Sequence, residues 1–318
     1  MGSYVIRRVL ALLPTLFFAS VIVFVTVRMI PGDIIDRMLS DRDVSADQLT
    51  REQLLAALGL DKPMWKQYLL WIGGILFHGD LGRSLWHNTP ITEMLADRLP
   101  VSIELGLMAL TFALTLALPI GVYSAIRQDT AGDYIARSIS ILMLAVPAFW
   151  VATIVMVFPS IWWGWSPPVE YVRFSDDPIQ NLKHLLLPAL VLGMALSAVT
   201  MRMTRTMMLE VLRQDYIRTA WAKGLDERLV VVRHALRNAL IPVVTLIGLQ
   251  LPLLIGGAVI IEQIFVVPGM GLLLLDAVYQ RDYPVITGLF LVIGVGVVTI
   301  NLMVDMSYGF LDPRVRRR

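Results

Sequence analysis

A chain of 318 residues that is 57% hydrophobic and only 16% charged, with a net charge of +2, carries more apolar side chain than a water-soluble protein of this size can hide. That excludes a soluble enzyme, a disordered tail and a nucleic-acid-binding module, and leaves an integral membrane protein. The absence of cysteine excludes a disulfide scaffold, a thiolate metal site and a cysteine nucleophile.

The first apolar run, Val9–Ile30, exceeds a signal-peptide core and has no A-x-A-like cleavage site close behind it, so it reads as a retained signal-anchor. Five more runs follow: Val101–Ile126, Ile135–Phe158, Leu185–Met201, Leu240–Ile261 and Val285–Val304. A hydrocarbon core of about 30 Å takes about 20 helical residues. The fourth run is short, and its helix is expected to continue past Arg202. All are continuous, without the alternation of a membrane barrel, and only helices satisfy their backbone in lipid. Arg28, Glu104 and Arg137 are the only charges inside these limits, each close to an end where it reaches the interface.

Between the first two spans, Pro31–Pro100 forms an outer segment with helical signals. Thr50 and Gln53 fit a capping box for a helix over 51–58 that Gly59 stops, and Asp61 with Pro63 starts a second through Trp65, Tyr68, Leu69 and Ile72. The second suits the membrane interface or a partner. If both termini are cytoplasmic, sixteen of the 27 Lys and Arg residues lie inside, eight of them between Arg202 and Arg237, whereas the short outer loops are poor in positives.

That basic inner segment is the most informative part of the chain. Asp215 is placed to cap a short helix Tyr216–Lys223 ended by Gly224, and Asp226 to cap a second helix leading into the fifth span. A helix of about eight residues does not hold its own in water. With Tyr216, Ile217 and Trp221 among Arg218 and Lys223, it lies either on a partner surface or on anionic lipid headgroups.

Three classes of membrane protein compete. No H-E-x-x-H or G-x-S-x-G occurs and all four histidines lie outside the spans, which argues against an embedded enzyme. No central carboxylate or histidine marks an ion-coupled transporter. Gln250, the amide at the middle of the fifth span, either lines a path or hydrogen-bonds across helices. No lysine follows a glycine, so the chain has no P-loop. A pore subunit that borrows its ATPase gives the short inner helix a purpose.

Several strings carry a resemblance. They include R-M-I-P-G-D (Arg28–Asp33), L-G-L-D-K-P-M-W-K-Q-Y (Leu58–Tyr68), G-D-L-G-R-S (Gly79–Ser84), R-L-P-V-S-I-E-L (Arg98–Leu105), V-P-A-F-W (Val146–Trp150) and L-P-A-L-V-L-G (Leu187–Gly193). Then come Q-D-Y-I-R-T-A-W-A-K-G-L (Gln214–Leu225), H-A-L-R-N-A-L-I-P (His234–Pro242), P-G-M-G (Pro268–Gly271), R-D-Y-P (Arg281–Pro284) and L-D-P-R (Leu311–Arg314). In these the chain resembles, over essentially its whole length, the inner-membrane permeases of bacterial dipeptide/oligopeptide ABC importers, a family that also includes nickel permeases.

The resemblance implies an all-α, six-helix type I importer permease that is not itself an enzyme and sits in the bacterial inner membrane with both termini cytoplasmic. It implies a second homologous permease, two cytoplasmic ATP-binding subunits and an extracytoplasmic solute-binding protein as partners beside membrane lipid. No cofactor is implied on this chain, ATP and Mg being held by the ATPases. Asp215, Tyr216, Ile217, Arg218, Thr219, Ala220, Ala222, Lys223 and Gly224 look like the coupling helix that enters a groove of the ATPase, with Ala220 and Ala222 allowing a close fit. Against the family pattern E-A-A-x-x-x-G, Arg218 and Thr219 replace the Glu and first Ala, Ala220 and Gly224 match, and Arg237 stands where a later Pro is usual. The expected organisation is a first helix over 1–30, an outer loop over 31–100, a five-helix core over 101–304 with coupling loop 202–239, and a tail over 305–318. Peptide is the expected substrate. A nickel or oligosaccharide permease of the same family, or a stand-alone secondary transporter or channel, is the alternative.

Overall fold

The structure, a computed structural model, describes residues 2–29, 61–255 and 259–311, which are almost entirely helical. The elements in order are α1 (Gly2–Arg28), α2 (Met64–His78), α3 (Ile91–Ile126), α4 (Ala131–Ala145), α5 (Ala148–Trp163), α6 (Pro178–Leu212), α7 (Asp215–Ala222) and α8 (Glu227–Leu229). A π-helical stretch, Val230–Leu236, follows, then α9 (Arg237–Ile255), α10 (Val259–Phe265), α11 (Met270–Gln280) and α12 (Tyr283–Leu311).

Five helices are long and apolar enough to cross a bilayer: Leu10–Arg28, Ile91–Ile126, Pro178–Leu212, Glu227–Pro252 and Tyr283–Met306. The fourth predicted span does run on past Arg202. The expected span Ile135–Phe158 is two helices, α4 and α5, which meet at 90°. The turn follows from Pro147, which keeps Val146 out of the helical region and leaves it extended at φ −88°, ψ 123°. Counted as one bent span, the pair completes the expected six. A second bent pair, α10 and α11, crosses at 95° and could raise the count to seven.

The core is built on α3 and α6, rods of about 54 and 52 Å at about 1.5 Å per residue. Lipid tails are as apolar as leucine, so helices in a bilayer associate through close packing rather than through hydrophobicity. Both rods supply it with small residues. On α3, Ala109, Ala113, Ala117, Gly121 and Ala125 recur every fourth position on the buried face. On α6, Ala189, Gly193 and Ser197 do the same. A β-carbon on Gly193 would come within 2.7 Å of the Ala109 carbonyl oxygen, and one on Gly121 within 2.8 Å of Thr204 Cβ. The start of α6 is set locally: Pro178 occupies its first turn, and the Asp177 carboxylate accepts from Ile179 N and Gln180 N, both at 3.0 Å.

Three apolar clusters stack along these rods. One joins Ile91 and Leu95 to α11 and α12, the next joins Leu105 and Ala109 to Leu185 and α10, and the last surrounds Ala125 and Met208 next to α7. The α10–α11 corner is held by buried polar groups. The Glu262 carboxylate accepts from Ser102 Oγ (3.0 Å) and Leu272 N (2.8 Å), while Ser102 Oγ accepts from Met270 N (2.8 Å). These anchor the open N–H groups at the start of α11, and the negative charge suits that helix end. P-G-M-G is small for this reason, since a β-carbon on Gly269 would lie 2.5 Å from the Glu262 carboxyl and one on Gly271 2.9 Å from Val259 Cα.

At the end of α3 far from α7, Asp282 fastens the 79–90 loop. Its Oδ2 accepts from Ser84 Oγ (2.6 Å) and Leu85 N (3.1 Å), and Trp86 Nε1 donates to the Gln280 carbonyl (2.8 Å). The expected helix over 51–58 lies outside the described residues. The one after it is α2, longer than expected, with Pro63 rather than Asp61 at its N-cap and Gly79 left-handed at its end. It lies on α1, where Tyr68 Oη meets Ser20 Oγ at 2.8 Å and Trp71 packs on Phe24. The three charges near span ends each have a neighbour. Arg28 stacks on Phe24, Arg137 on Tyr134, and Glu104 accepts from Asn181 Nδ2 at 3.3 Å.

Candidate functional site

Helix α7 hangs between the end of α6 and the rod that begins at Glu227. Two of its side chains, Ile217 and Ala220, are buried against Met208, Val230, Val231 and Ala235. Asp215, Tyr216, Arg218, Thr219, Trp221, Ala222, Lys223 and Gly224 are exposed. This splits the predicted set in two. Ile217 and Ala220 fasten the helix to its own chain, so Ala220 faces inward. Tyr216 and Trp221, each a little over two-fifths exposed, flank this buried face on its two sides, with Tyr216 Oη accepting from Asn238 Nδ2 at 2.8 Å, and the outward face carries Asp215, Arg218, Thr219 and Ala222.

The helix ends as its glycine demands. Gly224 is left-handed at φ +77°, its N–H donates to the Trp221 carbonyl (2.9 Å), and Leu225 N donates to the Ala220 carbonyl (3.4 Å). These two bonds form a Schellman cap. The expected cap at the other end is corrected: Gln214 is the N-cap, without a side-chain bond, and Asp215 is the first helical residue. There its carboxylate faces Arg218 at 3.7 Å, fully in solvent, and adds little beyond favouring the helix N-terminus. Asp226 caps as expected, accepting from Arg228 N at 3.1 Å.

Three features of this end were not anticipated. The first is the π-helical stretch Val230–Leu236, whose Val230, Val231 and Ala235 pack on α7. Such stretches widen a helix locally and are frequent at functional sites. The second is a buried ion pair tying α3, α4 and α6 together. Arg205 donates to both Asp133 oxygens, from Nε at 2.8 Å and Nη2 at 2.7 Å, and Nε also reaches Ser124 Oγ at 3.0 Å. Ser124 Oγ and Asp129 N donate to the same carboxylate. Its only sequence signal is an acid in the first turn of α4 and one arginine among eight basic residues. The third is an open cleft of about 460 Å³ lined by Tyr123, Ile126, Arg127, Glu227 and Val232, next to α7.

Gln250 is half-buried in α9, and its Nε2 donates to Leu246 O one turn earlier at 3.4 Å. The bond stays within its own helix.

This bundle, with a short capped helix carried between two long helices, has the fold of a type I ABC importer permease. The chain matches the MetNI methionine ABC transporter in inward-facing conformation with a TM-score of 0.56 and 16% identity, covering 69% of this chain and 96% of that one. It also matches an amino acid ABC transporter with a TM-score of 0.50 and 12% identity, over 70% and 94%. The chain belongs to the family of binding-protein-dependent transport system inner membrane components: that family's model matches residues 117–317, and the model of its N-terminal part matches residues 1–106. Relatives include the dipeptide transport system permease protein DppB of Escherichia coli K12, 40% identical with both chains covered in full. The oligopeptide transport system permease protein AppB of Bacillus subtilis is 42% identical over 99% of each chain.

Proposed function

We propose that the chain is one permease half of an ATP-driven, binding-protein-dependent importer that carries small peptides across a bacterial cytoplasmic membrane by alternating access. It pairs with a second homologous permease and lies with both termini and α7 on the cytoplasmic side, where two ATP-binding subunits holding ATP and Mg dock. An extracytoplasmic binding protein delivers the peptide to the opposite end. The peptide class is taken from the names of the two relatives, which cover this chain from end to end.

The observation that carries the reading is the mounting of α7. Its inner face is packed into the chain and Asp215, Arg218, Thr219 and Ala222 on its outer face are exposed, while α6 and the Glu227 rod leave from its two ends. A partner pressing on the exposed side of α7 moves a rigid unit, and both rods move with it. Alternating access is this kind of rocking. Asp133 and Arg205 hold α4 to α6, so the bent α4–α5 pair follows. Gln250 is assigned to the path between the two halves.

Proteoliposomes test this directly. The complete assembly is expected to accumulate peptide only with ATP on the ATPase side and binding protein on the other. Uptake by the purified chain alone, driven by an ion gradient, would sink the proposal and establish a secondary transporter.

A further inference from the structure

At the end of the rods opposite α7, a cleft of about 320 Å³ opens between the first turns of α3, the 87–89 loop and α11. On α11, Leu273, Asp276, Ala277 and Gln280 share one face at helical spacing and all line it. Leu273 and Ala277 are buried and form an apolar floor. Arg98, on the second turn of α3, and the exposed His87 stand on the rim.

The charges of this cleft are matched yet unpaired. Arg98 and Asp276 line the same space without an ion pair between them, and neither side chain makes a hydrogen bond among the described residues. Other carboxylates nearby are already engaged. Asp282 accepts from Ser84 and Leu85, and Glu262, which feels the field of Arg98, accepts from Ser102 and Leu272. A free guanidinium and a free carboxylate facing one cavity suit a ligand that carries both charges itself. The volume falls at the small end of ligand sites, which begin at about 300 Å³.

We infer that this cleft receives the main chain of a short zwitterionic peptide, its terminal carboxylate on Arg98 and its terminal ammonium on Asp276. The assignment rests on the peptide-import reading and deepens it. A guanidinium grips a carboxylate through paired N–H donors, whereas the floor of Leu273 and Ala277 makes no demand on side-chain identity. The position fits a receiving site for peptide leaving a binding protein, at the end of the rods away from α7.

The test uses the complete importer in nanodiscs and proteoliposomes, with trialanine, trialanine amide and N-acetyl-trialanine as probes. Saturation-transfer NMR on nanodiscs reads direct binding, and uptake is measured at saturating binding protein. Arg98→Met should weaken trialanine binding about tenfold and leave the amide unchanged, with Arg98→Lys recovering most of the loss. Asp276→Asn should weaken trialanine in the same way and leave the N-acetyl peptide unchanged. Equal loss for acid and amide in Arg98→Met, or a rise in the binding protein needed for half-maximal ATPase stimulation, overturns the assignment in favour of a docking surface. Wild-type uptake of trialanine with binding unaltered by either variant overturns the cleft alone. A wild-type importer that neither binds nor takes up any of the three removes the peptide reading and the cleft with it.

Discussion

Replacing Gly224 with leucine isolates one physical effect. A β-carbon at this position meets no atom within 4 Å, so no clash with a neighbour enters. What changes is the backbone, since φ is +77° and an L-residue in that region costs about 1–2 kcal/mol. That strain opposes the Schellman cap through which α7 is closed off and turned toward Asp226. At about 1.4 kcal/mol per factor of ten, the docked geometry of α7 should lose roughly five- to thirtyfold in population. Membrane insertion and abundance should be unchanged, because Ile217 and Ala220 still bury their side chains. Binding-protein-stimulated ATPase activity and uptake in proteoliposomes would read the loss. Gly224→Asn is the control, since asparagine tolerates the left-handed region and should cost no more than a few-fold. If Gly224→Leu keeps uptake within twofold of wild type, or Gly224→Asn is damaged equally, the link from backbone to coupling is wrong.

Other perturbations address the rest of the frame. Asp133→Asn leaves Arg205 buried without its counter-charge and should lower stability by on the order of 3 kcal/mol, read as a fall in the melting temperature of the purified protein; an unchanged melt would mean the pair contributes nothing. Gly193→Ala presses a β-carbon to 2.7 Å from the Ala109 carbonyl, and overpacking of this kind should cost about 1–3 kcal/mol in the same melt. Gln250→Leu removes only a bond within α9, so the melt should stay put while uptake rate or peptide preference shifts; if uptake is also unchanged, Gln250 is not on the path.

Much of the frame could be read from residue order alone, and the reasons it stopped short are specific. Continuous apolar runs announce spans because lipid admits only helices there. Gly224 and Asp226 were legible as caps because each acts on its own neighbours in sequence. The Asp133–Arg205 pair was not, since the partners stand 72 residues apart and either could equally be an ordinary surface charge. Pro147 was visible, but a proline sets only where a helix breaks; the 90° angle comes from how α4 and α5 each pack on α6 and its neighbours. Ala220 matched a family position, yet only the packing of α7 decides that it faces inward. The small-residue stripe of α3 was hidden by a hydropathy count, which treats alanine and leucine as alike when close approach depends on their difference.

The same stripe has a mechanical consequence. Two rods fastened closely to each other through small residues resist bending and shear against each other much as a laminated beam does. A load at one end is therefore delivered to the other as an angle instead of being dissipated between. Across about 52 Å, a tilt of about 5° moves the far tip by roughly 4–5 Å. That is enough to open or shut a gap the width of a peptide chain without repacking a single buried side chain.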